Sequence, residues 1–208
     1  MHKCQKQPLG KMIVKPTAEG LMSQVKATRG PPPVHLWNPP FCGDIDIRIA
    51  RDGTWFYLGT PIGRAPLVKL FSSILKREGD AYFLVTPVEK VGIRVDDAPL
   101  LAVDFTATGT GRTQTLRFVT KTDDEVDADA ANPLAFRFSP AGEPTPYIHI
   151  RAGLNALIDR KSFYRLVELG CHEPHSGESM AGVAPGESWF GLWSHGQFFP
   201  IQRSTELT

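Results

Sequence analysis

The chain has 208 residues, 41% of them hydrophobic and 22% charged, the composition of a folded globular protein and not of a disordered or fibrous one. Lys and Arg number 23 against 22 Asp and Glu, a formal net charge of +1, so no bulk charge draws the chain to nucleic acid or an anionic membrane; a small anion needs only local positive charge. The N-terminus lacks a signal-peptide core, no stretch approaches the ~18 apolar residues of a membrane span, and Cys4, Cys42 and Cys171 are an odd, scattered set that favours reduced thiols; the expected location is cytoplasmic.

Met1 to Pro40 is Lys-rich and broken by prolines. A short helix is predicted from Thr17 as cap through Lys26, with Leu21, Met22 and Val25 on one face. Pro31-Pro32-Pro33 must be extended, and Trp37 is expected to anchor this arm on the first hairpin. Ile45, Ile47 and Ile49 alternate with Asp44, Asp46 and Arg48 as a half-buried strand does; Asp52-Gly53 turns the chain and Trp55 to Leu58 returns. Pro66 then opens a helix with Leu67, Leu70, Phe71, Ile74 and Leu75 on one stripe, predicted to run through Lys76-Arg77 to a Gly79 stop. Ala81 to Pro87 reads as a buried strand that completes a β-β-α-β unit.

From Val91 to Thr122 the pattern changes to short strands joined by turns, among them Gly109-Thr110-Gly111-Arg112, which predicts an antiparallel meander and a boundary near Pro87 to Lys90. The acidic stretch Asp123 to Asp129 reads as a solvated connection or edge. Pro133 to Phe138 and Pro146 to Arg151 are strands. Leu154, Leu157 and Ile158, then Phe163, Leu166 and Val167, read as a second helical region broken near Asp159 to Ser162. Cys171 to Glu187 is a Gly/Ser/Pro loop, and SWFGLWSHGQFFPI closes the chain as a hairpin. The resulting class is α+β, in two related β-rich domains each with one main helix, the second a meander or barrel-like sheet. Residues 1–36 form an arm, 37–88 the first domain, 89–202 the second and 203–208 a tail. The two helices align with Arg64 over Arg160, a constant offset of 96 (160 − 64), which is either an internal duplication or the spacing any two amphipathic helices share.

NPPFCGDIDIRI, GTWFYLGTPIGR, FLVTPVEKVGI, DDEV, NPL, YIHIRAGLNALIDRKSFYRLVEL and WSHGQFFP, in that order from about Trp37 to Pro200, resemble the bacterial domain-of-unknown-function family 1285. The resemblance implies a duplicated two-domain arrangement, a second domain like a pleckstrin-homology fold, and a nucleotide-like ligand held between the domains in a signalling role. It implies no established activity, and Met1 to Pro40 falls mostly outside the matched motifs.

The residues carry no ATPase or dinucleotide fingerprint: neither Gly59-Thr60-Pro61-Ile62-Gly63-Arg64 nor the loop at Gly109 has the required glycine spacing. The first of these delivers Arg64 to a helix N-terminus, where an anion is favoured, and the second reads as a hairpin turn before a ligand loop. Cys171, His172, Glu173 and His175 find no second metal-ligand pair, and His149 and His195 have no nucleophile elbow. Aromatics interleaved with arginine are the useful signal. Arg48, Trp55, Tyr57, Arg64, Tyr147, Arg151 and Trp193 are the candidate ligand-binding residues, offering stacking faces and bidentate donors, against the alternative of core aromatics beside surface arginines. No catalytic residue, metal or cofactor is assigned. The expected function is non-enzymatic binding of a small nucleotide-like anion in the cleft between the two domains, in signal transduction, with a signalling protein as a further partner. Its rivals are an interaction module whose second domain docks a peptide on a sheet edge, and an enzyme acting on a phosphorylated metabolite.

Overall fold

The computed structural model describes residues 16–24, 32–174 and 187–206. The expectations for Val25, Lys26, His175 and most of the loop after Pro174 lie outside them. The chain divides into two compact units, residues 1–100 with 152–154, and 101–151 with 155–208.

In the first unit α1 (Ala18–Gln24) begins where expected, with Thr17 Oγ1 accepting from the Gly20 amide at 3.2 Å and Leu21 fully buried. A single 3₁₀ turn, Val34–Leu36, leads to Trp37. The carbonyl of Trp37 accepts from Lys76 Nζ at 3.3 Å, which ties the arm to β4 (Leu75–Glu78). β1 (Phe41–Ile49), β2 (Trp55–Tyr57) and the short β3 (Thr60–Pro61) form one half of a six-stranded sheet; β4, β5 (Ala81–Val85) and β6 (Lys90–Val95) form the other. The order is β3-β2-β1-β6-β5-β4, with β1 and β6 parallel at its centre and Arg48 opposite Arg94. Lys90–Val95 therefore belongs to the first sheet, although the sequence reading placed it after the boundary. Reading successive strands as a meander misses a parallel return, which needs the long crossover that α2 (Ala65–Ser73), β4 and β5 supply.

The helix α2 is shorter than predicted. It ends at Ser73, and Leu75–Glu78 leave the helical stripe to pair with Ala81–Leu84 across a turn at Gly79, whose φ is +61°. Its apolar stripe survives in a different form: Phe71 lies on the helix and Ile74 and Leu75 beyond it, and all three are buried with Ile45, Ile47, Ile49 and Leu84.

In the second unit β7 (Leu100–Thr108), β8 (Thr115–Thr120), β9 (Glu125–Asp127), β10 (Leu134–Phe138), β11 (Pro144–Arg151) and β12 (Leu154–Ile158) form a sheet in the order β10-β11-β12-β7-β8-β9. The acidic stretch supplies its edge strand β9. Leu154–Ile158 is a central strand and not the start of a helix: Leu154, Ala156, Leu157 and Ile158 are all buried, and a strand covered on both faces reads as a continuous apolar run. The helix α3 starts at Arg160 and runs to Glu168, capped by Asp159, whose side chain accepts from the Ser162 amide at 2.7 Å. β13 (Cys171–Pro174), β14 (Ser188–Ser194) and β15 (Gln197–Arg203) add a three-stranded antiparallel sheet, the last two joined by a tight turn with φ +50° at His195 and +72° at Gly196.

The protein is thus β-rich with few helices. Among the described residues no helix is long and apolar enough to cross a membrane. Cys171 is a free thiol, but Cys42 is disulfide-bonded, its partner outside the described residues. An odd cysteine count excludes complete pairing, not a single bridge, and the cytoplasmic expectation loses the part of its support that rested on reduced thiols.

Candidate ligand site

The seven residues singled out from sequence fall into different environments. Trp55 is 2% exposed and stacks on Phe71 with ring centroids 6.2 Å apart, so it is a core residue. Tyr57, opposite Ile47, shares that face of the sheet and is half-buried. Arg48 points the other way: its guanidinium lies 4.8 Å over the Phe56 ring and 3.2 Å from Asp96. The first sheet therefore separates Arg48 from Trp55 and Tyr57.

Arg64 is exposed and is the cap residue of α2, but its side chain makes no cap hydrogen bond. The anion cradle expected around it is poor. Pro66 has no N–H, the Ile62 amide donates to Trp55 O at 2.8 Å, and the Leu67 and Val68 amides donate to the Arg64 carbonyl.

In the second unit Tyr147 is buried with Arg137 4.7 Å over its ring. Arg151 is paired with Asp124, whose other oxygen accepts from Thr120 Oγ1 at 3.1 Å and Thr122 Oγ1 at 2.9 Å, a closed network that secures the turn between β8 and β9.

Trp193 is different. Some 80 residues away in sequence, the turn Gly111–Thr113 places the Arg112 guanidinium 4.8 Å over its indole. Two backbone requirements build that contact. Gly109 has φ +73°, and a Cβ there would lie 2.5 Å from the Thr113 carbonyl oxygen, so only glycine lets the turn close. At the other end of the turn, Gln114 Nε2 donates to the Trp193 carbonyl at 2.9 Å, the His195 amide donates to Gln114 O at 2.9 Å, and the Leu116 amide donates to Ser194 Oγ at 3.0 Å. Gln114 and Ser194 are both buried, so these bonds fix β14 against the start of β8.

Glu173 on β13 completes the corner, accepting from Trp193 Nε1 at 3.0 Å on one oxygen and facing Arg112 Nη2 at 3.4 Å on the other. Phe198 packs its ring 5.3 Å from that of Trp193. Arg112 remains 73% exposed. Beside the corner, Arg117 grips Asp127 through two hydrogen bonds of 2.6 and 3.0 Å, and His195 Nε2 reaches the same carboxylate at 3.3 Å. The Arg117 guanidinium, helped by His195, holds the Asp127 carboxyl below its ordinary range against the opposing effect of burial. Burial first, and Glu173 second, push the Cys171 thiol up, only partly offset by Trp193, so the thiol stays protonated and is a poor nucleophile.

Sequence reasoning therefore found Trp193 and the Gly109 turn but did not join them, and it missed Glu173 and Phe198 as members of the corner. The available signal was the spacing of Trp189 and Trp193, four apart in WFGLW, which puts both on one face of a strand. Among the described residues no group of three or more His, Cys, Asp or Glu is arranged to hold a metal.

The fold and this corner define a β-rich chain of two units, each built on a six-stranded sheet with a nine-residue helix. The family model for the N-terminal domain of DUF1285, a domain of unknown function, matches residues 32–98, and that for its C-terminal domain matches residues 99–201. The chain belongs to the DUF1285 family. A crystal structure of a DUF1285 family protein from Silicibacter pomeroyi DSS-3 is 58% identical, with a TM-score of 0.80, over 92% of this chain and 97% of the other. One from Shewanella baltica OS155 is 33% identical, with a TM-score of 0.47, over 59% of this chain and 90% of the other. No curated protein matches the chain.

Proposed function

We propose that the chain is a non-enzymatic binding protein for a small nucleotide-like anion, serving signal transduction, and that Trp193 and Arg112 of the second unit form its anchor. One observation carries this reading: an exposed guanidinium lies 4.8 Å over a tryptophan ring, held there by a turn whose glycine cannot be replaced without overlap. An indole face offers a base about 1–3 kcal/mol of stacking. Arg112 offers a phosphate its planar donors, most of them free of its single long contact to Glu173. An exposed ion pair of this kind contributes at most about 1 kcal/mol, so a phosphate can share or replace Glu173 at little cost. The neighbouring groups suit binding better than catalysis. Asp127 is already held by Arg117, and Cys171 is held as a thiol. The pleckstrin-homology likeness implied for the second domain belongs to this reading, as a sheet-and-helix module recruited for recognition.

The test is a thermal-shift screen of mono-, di- and cyclic nucleotides. A ligand at a hundred times its dissociation constant stabilises the protein by about 2.7 kcal/mol, a shift on the order of 5–10 °C for a chain of this size. Arg112→Ala and Trp193→Ala should each reduce the shift, and the absence of any shift across the panel would overturn the reading.

The second reading is a peptide-docking module. It is favoured by β10, an outer strand of the second sheet paired on one side only, which ends in Phe138, 47% exposed. Capture of an extended peptide that is lost on Ala135→Pro, with no nucleotide shift, would support it.

A further inference from the structure

The outer face of the third sheet repeats the arrangement at Trp193. Trp189 lies four residues earlier on the same strand, so both tryptophans stand on one face, their backbone positions about 14 Å apart at ~3.4 Å per residue. Trp189 also carries an arginine: the Arg203 guanidinium lies 5.8 Å from its ring centroid, and Arg203 in turn faces Glu187 at 3.4 Å, as Arg112 faces Glu173. Between the two stations the strand has Gly191. A side chain there would overlap the Phe199 carbonyl, the Phe198 ring and the Pro200 backbone, so β15 lies close against it and the Phe198 ring fills the gap between the tryptophans. The result is a row of three aromatic rings with a guanidinium at each end. Among the described residues Trp189 Nε1, like Glu187 Oε2, is buried without a hydrogen-bond partner.

The geometry points to a ligand with two bases: a linear dinucleotide that splays one base onto Trp193 and the other onto Trp189, with its phosphates on Arg112 and Arg203. This rests on the nucleotide-like reading of the Trp193 corner and extends it by one station. Two bases stacked on each other are ~3.4 Å apart, whereas the Phe198 ring stands between the two tryptophans with its centroid 5.3 Å from that of Trp193, so each base must leave its neighbour and lie on its own ring, as bases of single strands do on aromatic platforms. Each arginine uses one long ion pair and keeps the rest of its five N–H donors for phosphate. A mononucleotide fills only half of this row.

The experiment compares AMP with the 5′-phosphorylated linear dinucleotide pApA on the full chain, by titration calorimetry and tryptophan fluorescence quenching. The dinucleotide should bind at least ~10-fold more tightly, about 1.4 kcal/mol. Trp189→Ala and Arg203→Gln should each remove most of that advantage while leaving AMP affinity unchanged; Trp189→Phe keeps a ring in place and should retain part of it. Trp193→Ala should weaken both ligands. Equal affinity for AMP and pApA, with Trp189→Ala silent, overturns the second station and leaves the first. Binding of neither overturns both. Quenching by decaproline and not by pApA would instead make the row a docking face for a proline-rich peptide.

Discussion

The two units share one strand order and use it differently. Numbering strands within each unit, both sheets run 4-5-6-1-2-3: β4-β5-β6-β1-β2-β3 in the first and β10-β11-β12-β7-β8-β9 in the second. Their helices do not correspond. α2 lies between the third and fourth strands, whereas α3 follows the sixth. Aligning Arg64 with Arg160 therefore pairs two helices from different places in the topology, and even locally Arg64 is a cap residue while Arg160 is the first residue inside its helix. The placement of the helix determines what each sheet buries. In the first unit Phe71 of α2 covers Trp55 of the second strand, and that tryptophan is lost to the core. In the second unit the second strand carries Phe118, buried against Phe105, and the half-buried Trp189 and Trp193 stand on an added sheet. A common sheet order thus gives two cores of similar plan, and the Trp193 corner proposed for recognition lies on what is appended.

The largest effect that would sharpen this contrast comes from the two tryptophans. Trp55→Ala empties a packed site in the first unit and should cost about 3–5 kcal/mol in urea unfolding, with nucleotide response in the folded protein unchanged. Trp193→Ala should do the reverse, costing much less stability and removing the response. If the two variants were equally destabilising, Trp193 would be a core residue and the division of labour between the units would fail.

Next in size is Gly109→Ala. Its positive φ and the 2.5 Å approach to Thr113 O predict a loss of about 2 kcal/mol from strain and overpacking, together with displacement of Arg112 from Trp193. A thermal melt and a nucleotide titration on the same variant check both parts. Unchanged binding by a destabilised protein would detach the turn from the site.

What could be read from the sequence follows from which physical signals are local. Alternation in β1, the Asp52-Gly53 and His195-Gly196 turns, and the Thr17 cap are each written within a few residues, and each was found. Leu75–Glu78 reads as helix because Leu75 continues the α2 stripe and Lys76-Arg77 suit a helix C-terminus, and the short apolar run Leu154–Ile158 fits helical and strand periods alike; only pairing to β5 in the first case, and burial on both faces in the second, decides for strand. The parallel β1–β6 pair and the meeting of Arg112 with Trp193 depend on contacts tens of residues apart, which no local pattern encodes. For the same reason Arg48, Trp55 and Tyr57 looked like one group. Residue type and strand position were legible, but the face on which each side chain stood relative to α2 was not.

A smaller effect separates the two helices. Asp159→Ala removes the acceptor of the Ser162 amide and should cost about 1 kcal/mol, whereas Arg64→Ala, at a cap whose side chain makes no bond, should change stability by less than about 0.5 kcal/mol. Thermal melts of the two single variants decide the point. A large loss from Arg64→Ala would restore it to a structural role.

The smallest expected effect is in the acid limb, and it also divides the units. In the first unit Glu78 is held below its ordinary range mainly by its hydrogen bond to Lys90, then by Lys76. In the second unit two carboxylates are held low in the same way, Asp104 chiefly by Arg165 and Asp127 chiefly by Arg117. A carboxylate whose pKa is lower in the folded chain than in the unfolded one contributes its stability above the unfolded value, near ~4, and loses it as pH falls through the folded value. All three groups therefore stabilise at neutral pH and cease to do so in acid. All three are exposed enough for salt to screen them, so each change is small. The second unit, with two such groups, should show the steeper loss of amide protection between about pH 5 and pH 3 in hydrogen exchange followed by mass spectrometry. Asp127→Asn should flatten that dependence for peptides from β8, β9 and the β14–β15 turn, and Glu78→Gln should act on β4 and β5 alone. If Asp127→Asn left the acid response of the second unit unchanged, the Arg117–Asp127–His195 cluster would be a surface contact with no part in holding the Trp193 corner to its sheet.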